Sequence, residues 1–238
     1  MNPNSGFAKF LRITGIVLMA LTATLTLLGG IGTVCAALFT EKYAATSASM
    51  AKLVGWGWLY TLFMLVTIAI GVLMARAVLL LIKAAPASYR DSLMALVAGV
   101  VVGVIHIATS RALRGASMPV DMVVAPAVIT LIVFLLFRIP GVWAGVDFTR
   151  GKGEGKLSGG LSAIVLGVMC LTIQWVAGPT HTWNGVNYAD AFHVALTSLG
   201  ALLTAGGLAL MSWPGLARLR TQTFPRMRVI QTTAGREE

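Results

Sequence analysis

The chain has 238 residues, of which 57% are hydrophobic and only 11% charged, with a mean hydropathy of +0.85. Soluble domains carry roughly a quarter charged residues, so the composition excludes an ordinary water-solvated globule and makes the membrane span the natural unit. The formal net charge is +10, from 18 Lys+Arg against 8 Asp+Glu, and two cysteines cannot make a disulfide framework.

A helix crosses a bilayer with roughly 20 mostly apolar residues, because lipid offers the backbone no hydrogen-bond partner. In chain order, the first predicted span covers about 13–39 and the second about 54–75. The second can continue to Lys83 if Arg76 extends its guanidinium to the headgroups. The remaining predicted spans are about 92–110, 120–137, 157–177 and 190–211. The expected fold class is therefore all-α: a bundle of six transmembrane helices in residues 1–213, then a basic tail at 214–238. Pro126 predicts a kink in the fourth span, since it removes a backbone donor. The first apolar run is about twice the length of a signal-peptide core, and Gly32, Thr33 and Val34 before Cys35 make a poor lipoprotein cleavage site. It reads as an uncleaved anchor.

Cation placement orients the spans. With both termini cytoplasmic, 14 of the 18 Lys+Arg fall inside, and only Lys42, Lys52, Arg111 and Arg114 fall outside. That satisfies the positive-inside rule. Trp56, Trp58 and Tyr60 open the second span and Trp175 closes the fifth, as interfacial belts do. The tail from Pro214 attracts anionic inner-leaflet lipid headgroups. Membrane lipids are thus the expected partners, with a homo-oligomer or a complex subunit open and nucleic acid not expected.

Several motifs fail on inspection. GKGEGK in the loop before the fifth span puts Arg150 where a phosphate loop needs its first Gly, and Leu157 where it needs Ser or Thr. Ser162 and His193 open successive spans at opposite faces, roughly 30 Å apart, so they cannot form a nucleophile–base pair. Neither Cys35 nor Cys170 belongs to a CxxC pair. No carboxylate lies at mid-membrane depth, which argues against a proton-coupled pump. Small residues recur every four positions at Ala95, Gly99 and Gly103, and again at Ala201, Ala205 and Ala209; Thr22 and Thr26 share a face of the first span. These read as helix-packing seams.

The rare polar chemistry gathers near the outer face. His106 lies about one turn below the end of the third span, His181 in the last outer loop, and His193 in the first turn of the sixth span. Arg111, Arg114, Asp121 and Asp190 share that depth, and Asp190 and His193 share a helical face. The ligand-binding candidates are His106, Arg111, Asp190 and His193; no catalytic residue is assigned. His106, His181 and His193 are the candidates for a metal or haem, although no HxxxH or HExxH spacing supports one and no cofactor is predicted. The plainer reading has Asp190 and Asp121 capping helices and His106 packing with a hydrogen bond. The expected function is a non-enzymatic inner-membrane protein with an outward-facing polar pocket for a small ligand, or the membrane component of a transport or other complex. The alternatives are a metal or haem redox protein and a structural accessory subunit.

Overall fold

The computed structural model describes residues 1–45, 47–117, 119–178, 182–183, 185–187, 190 and 192–223, and side chains through 212 except at 176, 177 and 183. About 82% of the chain is helical. Helix α1 (Gly6–Gly32) starts at Ser5, whose hydroxyl accepts the Ala8 amide at 3.2 Å. Three short helices follow: α2 (Val34–Leu38), α3 (Thr40–Ala44) and α4 (Ala48–Ala51). Next come α5 (Gly57–Ile82) and α6 (Ser88–Arg114). Helix α6 ends at Gly115, whose φ of +78° is the left-handed cap that glycine adopts without strain.

Helix α7 (Val120–Leu136) carries Pro126 inside it, and α8 (Pro140–Val146) leads to a 3-10 turn at Phe148–Arg150. Helix α9 (Gly155–Ala177) and α10 (His193–Thr223) flank a small antiparallel pair, Thr182–Trp183 with Val186–Asn187. Five helical stretches are long and apolar enough to cross a membrane: Gly6–Leu38, Gly57–Ile82, Ser88–Arg114, Gly155–Trp175 and His193–Ser212. A sixth is a broken pair, Val120–Leu136 with Pro140–Arg150, bent by 100°.

These bounds correct the sequence reading at several edges. The second helix does run past Arg76, whose exposed side chain lies 3.5 Å from Asp91. The predicted fourth span stops at Leu136 because Pro140 forces Ile139 into extended geometry, φ −56° and ψ 128°. At 17 residues α7 is about 25 Å long, slightly less than the hydrocarbon core. Helix α10 runs through position 213 without a break, so the backbone shows no joint between bundle and tail there. The remainder of the predicted tail, 224–238, lies outside the described residues.

Helices α1, α5, α6 and α7 pack in a ring, each against the next, and α9 joins from outside through α1. Helix α10 packs on α9. The α9–α10 seam is made by glycine. A Cβ on Gly207 would lie 2.5 Å from the Gly160 carbonyl, and one on Gly200 would lie 2.8 Å from the Gly167 carbonyl. Two glycine pairs, two turns apart, thus bring the backbones into contact. The expected seam at Ala201, Ala205 and Ala209 is instead exposed, because the buried face of α10 runs through Gly200 and Gly207. By contrast Ala95 is buried, and Gly103 admits the Val124 side chain of α7.

One end of the bundle, here the basal end, holds residues near 1–12, 83–90 and 138–156. Arg12 is 2% exposed there and fully engaged. Its Nε donates to Glu154 Oε2 at 2.9 Å and its Nη2 to Glu154 Oε1. Nη1 donates to the Gly145 carbonyl at 2.7 Å, and both Nη atoms reach the Pro3 carbonyl at 3.1 Å. Such a pair tolerates burial because its hydrogen-bonding capacity is met. Nearby, the Tyr89 hydroxyl donates at 2.7 Å to the Phe134 carbonyl, which the end of α7 leaves unclaimed when the Arg138 amide turns to Leu135. Arg138 stacks over Trp143, 4.9 Å from the ring centre.

Candidate functional site

The ring of α1, α5, α6 and α7 is filled with apolar side chains towards the basal end, by Met19, Met74, Leu96 and Phe134 among others. In the opposite, capped half lies a partly open cavity of about 540 Å³, lined by these four helices and also by Ile173, Phe192 and Leu196. Met74 swings its methyl against Gly99 and closes the floor, where Thr26 donates to Met74 Sδ at 3.5 Å. The hydroxyls of Thr22 and Thr130 join α1 to α7 at 2.8 Å just beneath. Above Gly99, Val124 of α7 packs into the notch at Gly103, and both residues line the cavity. The roof is the 34–56 segment, which contributes Ala36 and Met50 to the lining and packs Leu53 on Tyr60.

The walls are mostly aliphatic, and His106 stands among a few polar exceptions, with Thr26, Thr33, Tyr60, Thr67 and Arg114. The His106 ring lies on Phe63, centroids 4.3 Å apart and planes 10° from parallel, with Tyr60 meeting it edge-on at 5.5 Å. Tyr60 in turn bonds Ser110 at 2.9 Å through the hydroxyls, which fixes the tyrosine. His106 is 4% exposed and lines the cavity, yet its Nε2 has no hydrogen-bond partner among the described residues. An unmet buried polar atom costs about 1–3 kcal/mol. The expected packing role of His106 is present, and the hydrogen bond expected with it is not.

No family model, no curated protein and no solved structure matches the chain.

The other expected site residues do not converge on His106. Arg111 points outward, donating to Ser117 Oγ at 2.9 Å and lying 3.4 Å from Asp121. That pair is the surface electrostatics the sequence implied. Asp121 accepts from Ser117 at 2.6 Å within the first turn of α7, and Pro119 holds the cap position in its place. His193 and Asp190 are both exposed, and His193 Nδ1 lies 2.9 Å from the Asp190 backbone carbonyl. No packed seam joins α6 to α10, and although Phe192 and Leu196 on either side of His193 line the cavity, His193 itself does not. His181 lies outside the described residues, and among those described no three His, Cys, Asp or Glu side chains gather as a metal set.

Arg114, Tyr60, Phe192 and Leu196 line the cavity and were not among the ligand-binding candidates. A helical wheel holds the signal for Arg114. It stands about 80° from His106 around α6, whereas Arg111 stands about 140° away. The glycine register sets His193 opposite Gln174, about 18 Å along α9 from Ser162, which is less than the roughly 30 Å expected yet still far beyond hydrogen-bond reach. Among the described lining residues there is no carboxylate and no cysteine. The arrangement can hold a largely apolar molecule and offer it one imidazole nitrogen.

Proposed function

We propose that the chain is a multi-pass protein of the inner membrane with six crossings and both ends cytoplasmic, binding a small ligand in the outer half of its bundle without transforming it. It does so alone or as the membrane component of a transport or other complex. The observation that carries this reading is the cavity of about 540 Å³ with the unpartnered Nε2 of His106 in its lining. Concave, mostly apolar sites with few polar groups are what small molecules occupy. The broken α7–α8 pair counts as one crossing. The basal end then carries Lys9, Arg90, Arg138 and Lys152 inward, as the positive-inside rule requires.

Two measurements test it. Single cysteines at 152 and 185 in a cysteine-free background should be, respectively, closed and open to an impermeant thiol reagent added outside. The reverse pattern overturns the orientation. Native mass spectrometry of gently purified protein should show a retained small molecule whose occupancy falls when Thr67→Phe projects a ring into the cavity. Identical spectra for the two proteins overturn the binding role.

A further inference from the structure

We infer that the cavity takes a single-chain amphipathic lipid, which slips in sideways from the bilayer and sets its oxygen-bearing head against His106 Nε2. This rests on the proposed membrane-embedded binding reading and names the ligand class of the same site.

Access comes first. The water-facing end is covered by α2, α3 and α4, with Leu53 fully buried beneath them. Arg114 at the end of α6 reaches across to Ser49 of that roof at 3.4 Å. The lateral side is built differently. Helix α10 packs on α9 and forms no packed seam with α7. The lining residues that flank this gap are Leu28 and Ile31 of α1, Met122 of α7, and Phe192 just before α10, and all four are exposed. Exposed aliphatic and aromatic side chains at this depth face lipid. A polar solute would have to cross hydrocarbon to reach such a window, whereas an acyl chain starts there.

Shape comes second. Along α6 the lining runs from Gly99 to Arg114, about 22 Å of helix rise. On α7 it runs from Val120 to Ala127, and on α5 from Tyr60 to Ile70. A long, narrow, aliphatic space suits a chain better than a compact solute.

The head group comes third. A cavity meant only for hydrocarbon would be best lined by apolar atoms, yet a buried ring nitrogen faces no donor or acceptor among the described residues. An alcohol, ester or acid oxygen supplies the missing partner. Neutral imidazole can either donate to that oxygen or accept from its hydroxyl. One such bond is worth roughly 3- to 10-fold in affinity.

The protein in lipid nanodiscs is photolabelled with three diazirine probes: a sixteen-carbon alcohol, the matching alkane and a short water-soluble alcohol. The long alcohol should label cavity-lining peptides saturably, with competition from hexadecanol. His106→Phe, which keeps the stack on Phe63, should weaken it roughly 3- to 10-fold while leaving alkane labelling unchanged. Thr67→Phe should weaken cavity labelling by both long probes. Equal responses of alcohol and alkane to His106→Phe overturn the head-group contact. Saturable labelling by the short alcohol alone overturns the lipid and leaves the small-ligand reading standing. Failure of all three to label the cavity, or bound water alone on His106, overturns both.

Discussion

His106 lies parallel to Phe63 at a centroid distance of 4.3 Å, an imidazole held like a third phenyl ring between Phe63 and Tyr60. Its aromatic contacts are satisfied and its Nε2 is not. The position therefore behaves as a core residue for packing and as a binding residue for polarity.

His106→Phe should accordingly raise the stability of ligand-free protein. Removing an unmet polar atom while keeping the ring recovers part of about 1–3 kcal/mol. Thermal unfolding in nanodiscs of two-chain phospholipid, free of detergent and single-chain lipid, measures this. A lower melting temperature than wild type would mean that Nε2 is already well bonded.

Two adjacent glycines on α10 should give opposite results. Gly207→Ala drives a Cβ to within 2.5 Å of the Gly160 carbonyl, while nothing lies within 4 Å of a Cβ on Gly206. We expect Gly207→Ala to destabilise by about 1–3 kcal/mol or more, since backbone rather than a flexible side chain must yield. Gly206→Ala should be neutral or stabilising by up to about 1 kcal/mol from helix propensity. Thermal unfolding of the pair, side by side, is the check.

At the basal end, Arg12→Met should cost about 3–5 kcal/mol, because it leaves Glu154 and two carbonyls unanswered. Combining it with Glu154→Leu should recover much of the loss. If the double variant is as unstable as Arg12→Met alone, the carboxylate was never the partner that mattered. Refolding yield and thermal midpoint both report it.

Thr22→Val and Thr130→Val should each destabilise mildly and couple to each other. Interhelical hydrogen bonds in membrane proteins average about 0.6 kcal/mol in double-mutant cycles. Additive effects would show that the 2.8 Å hydroxyl contact contributes nothing.

Much of the architecture was legible because long apolar runs with cations at their ends mark the helices that are long and apolar enough to cross a membrane. Edges were less so, since apolar runs fade while helices continue, as α5 does past Arg76. The break at Ile139 could have been read from Pro140 alone. The α9–α10 seam escaped notice because its glycines recur at seven residues rather than four, and the Ala201, Ala205 and Ala209 stripe drew attention to the wrong face. Arg12 looked like one more topogenic cation; only the arrival of Glu154 from a distant loop makes it a core residue. For the site, direction around the helix was not readable: of His106, Arg111 and His193, only His106 lines the cavity.

The Arg12–Glu154 pair joins residues 142 positions apart. At roughly 5–20 residues per second, the ribosome delivers the carboxylate about 7–28 seconds after the guanidinium. Until then the first helix carries a charge without the partner that holds it in the folded protein. A polypeptide released early, before the penultimate helix, is therefore marked as unfinished at its very beginning, by an arginine that the complete protein hides.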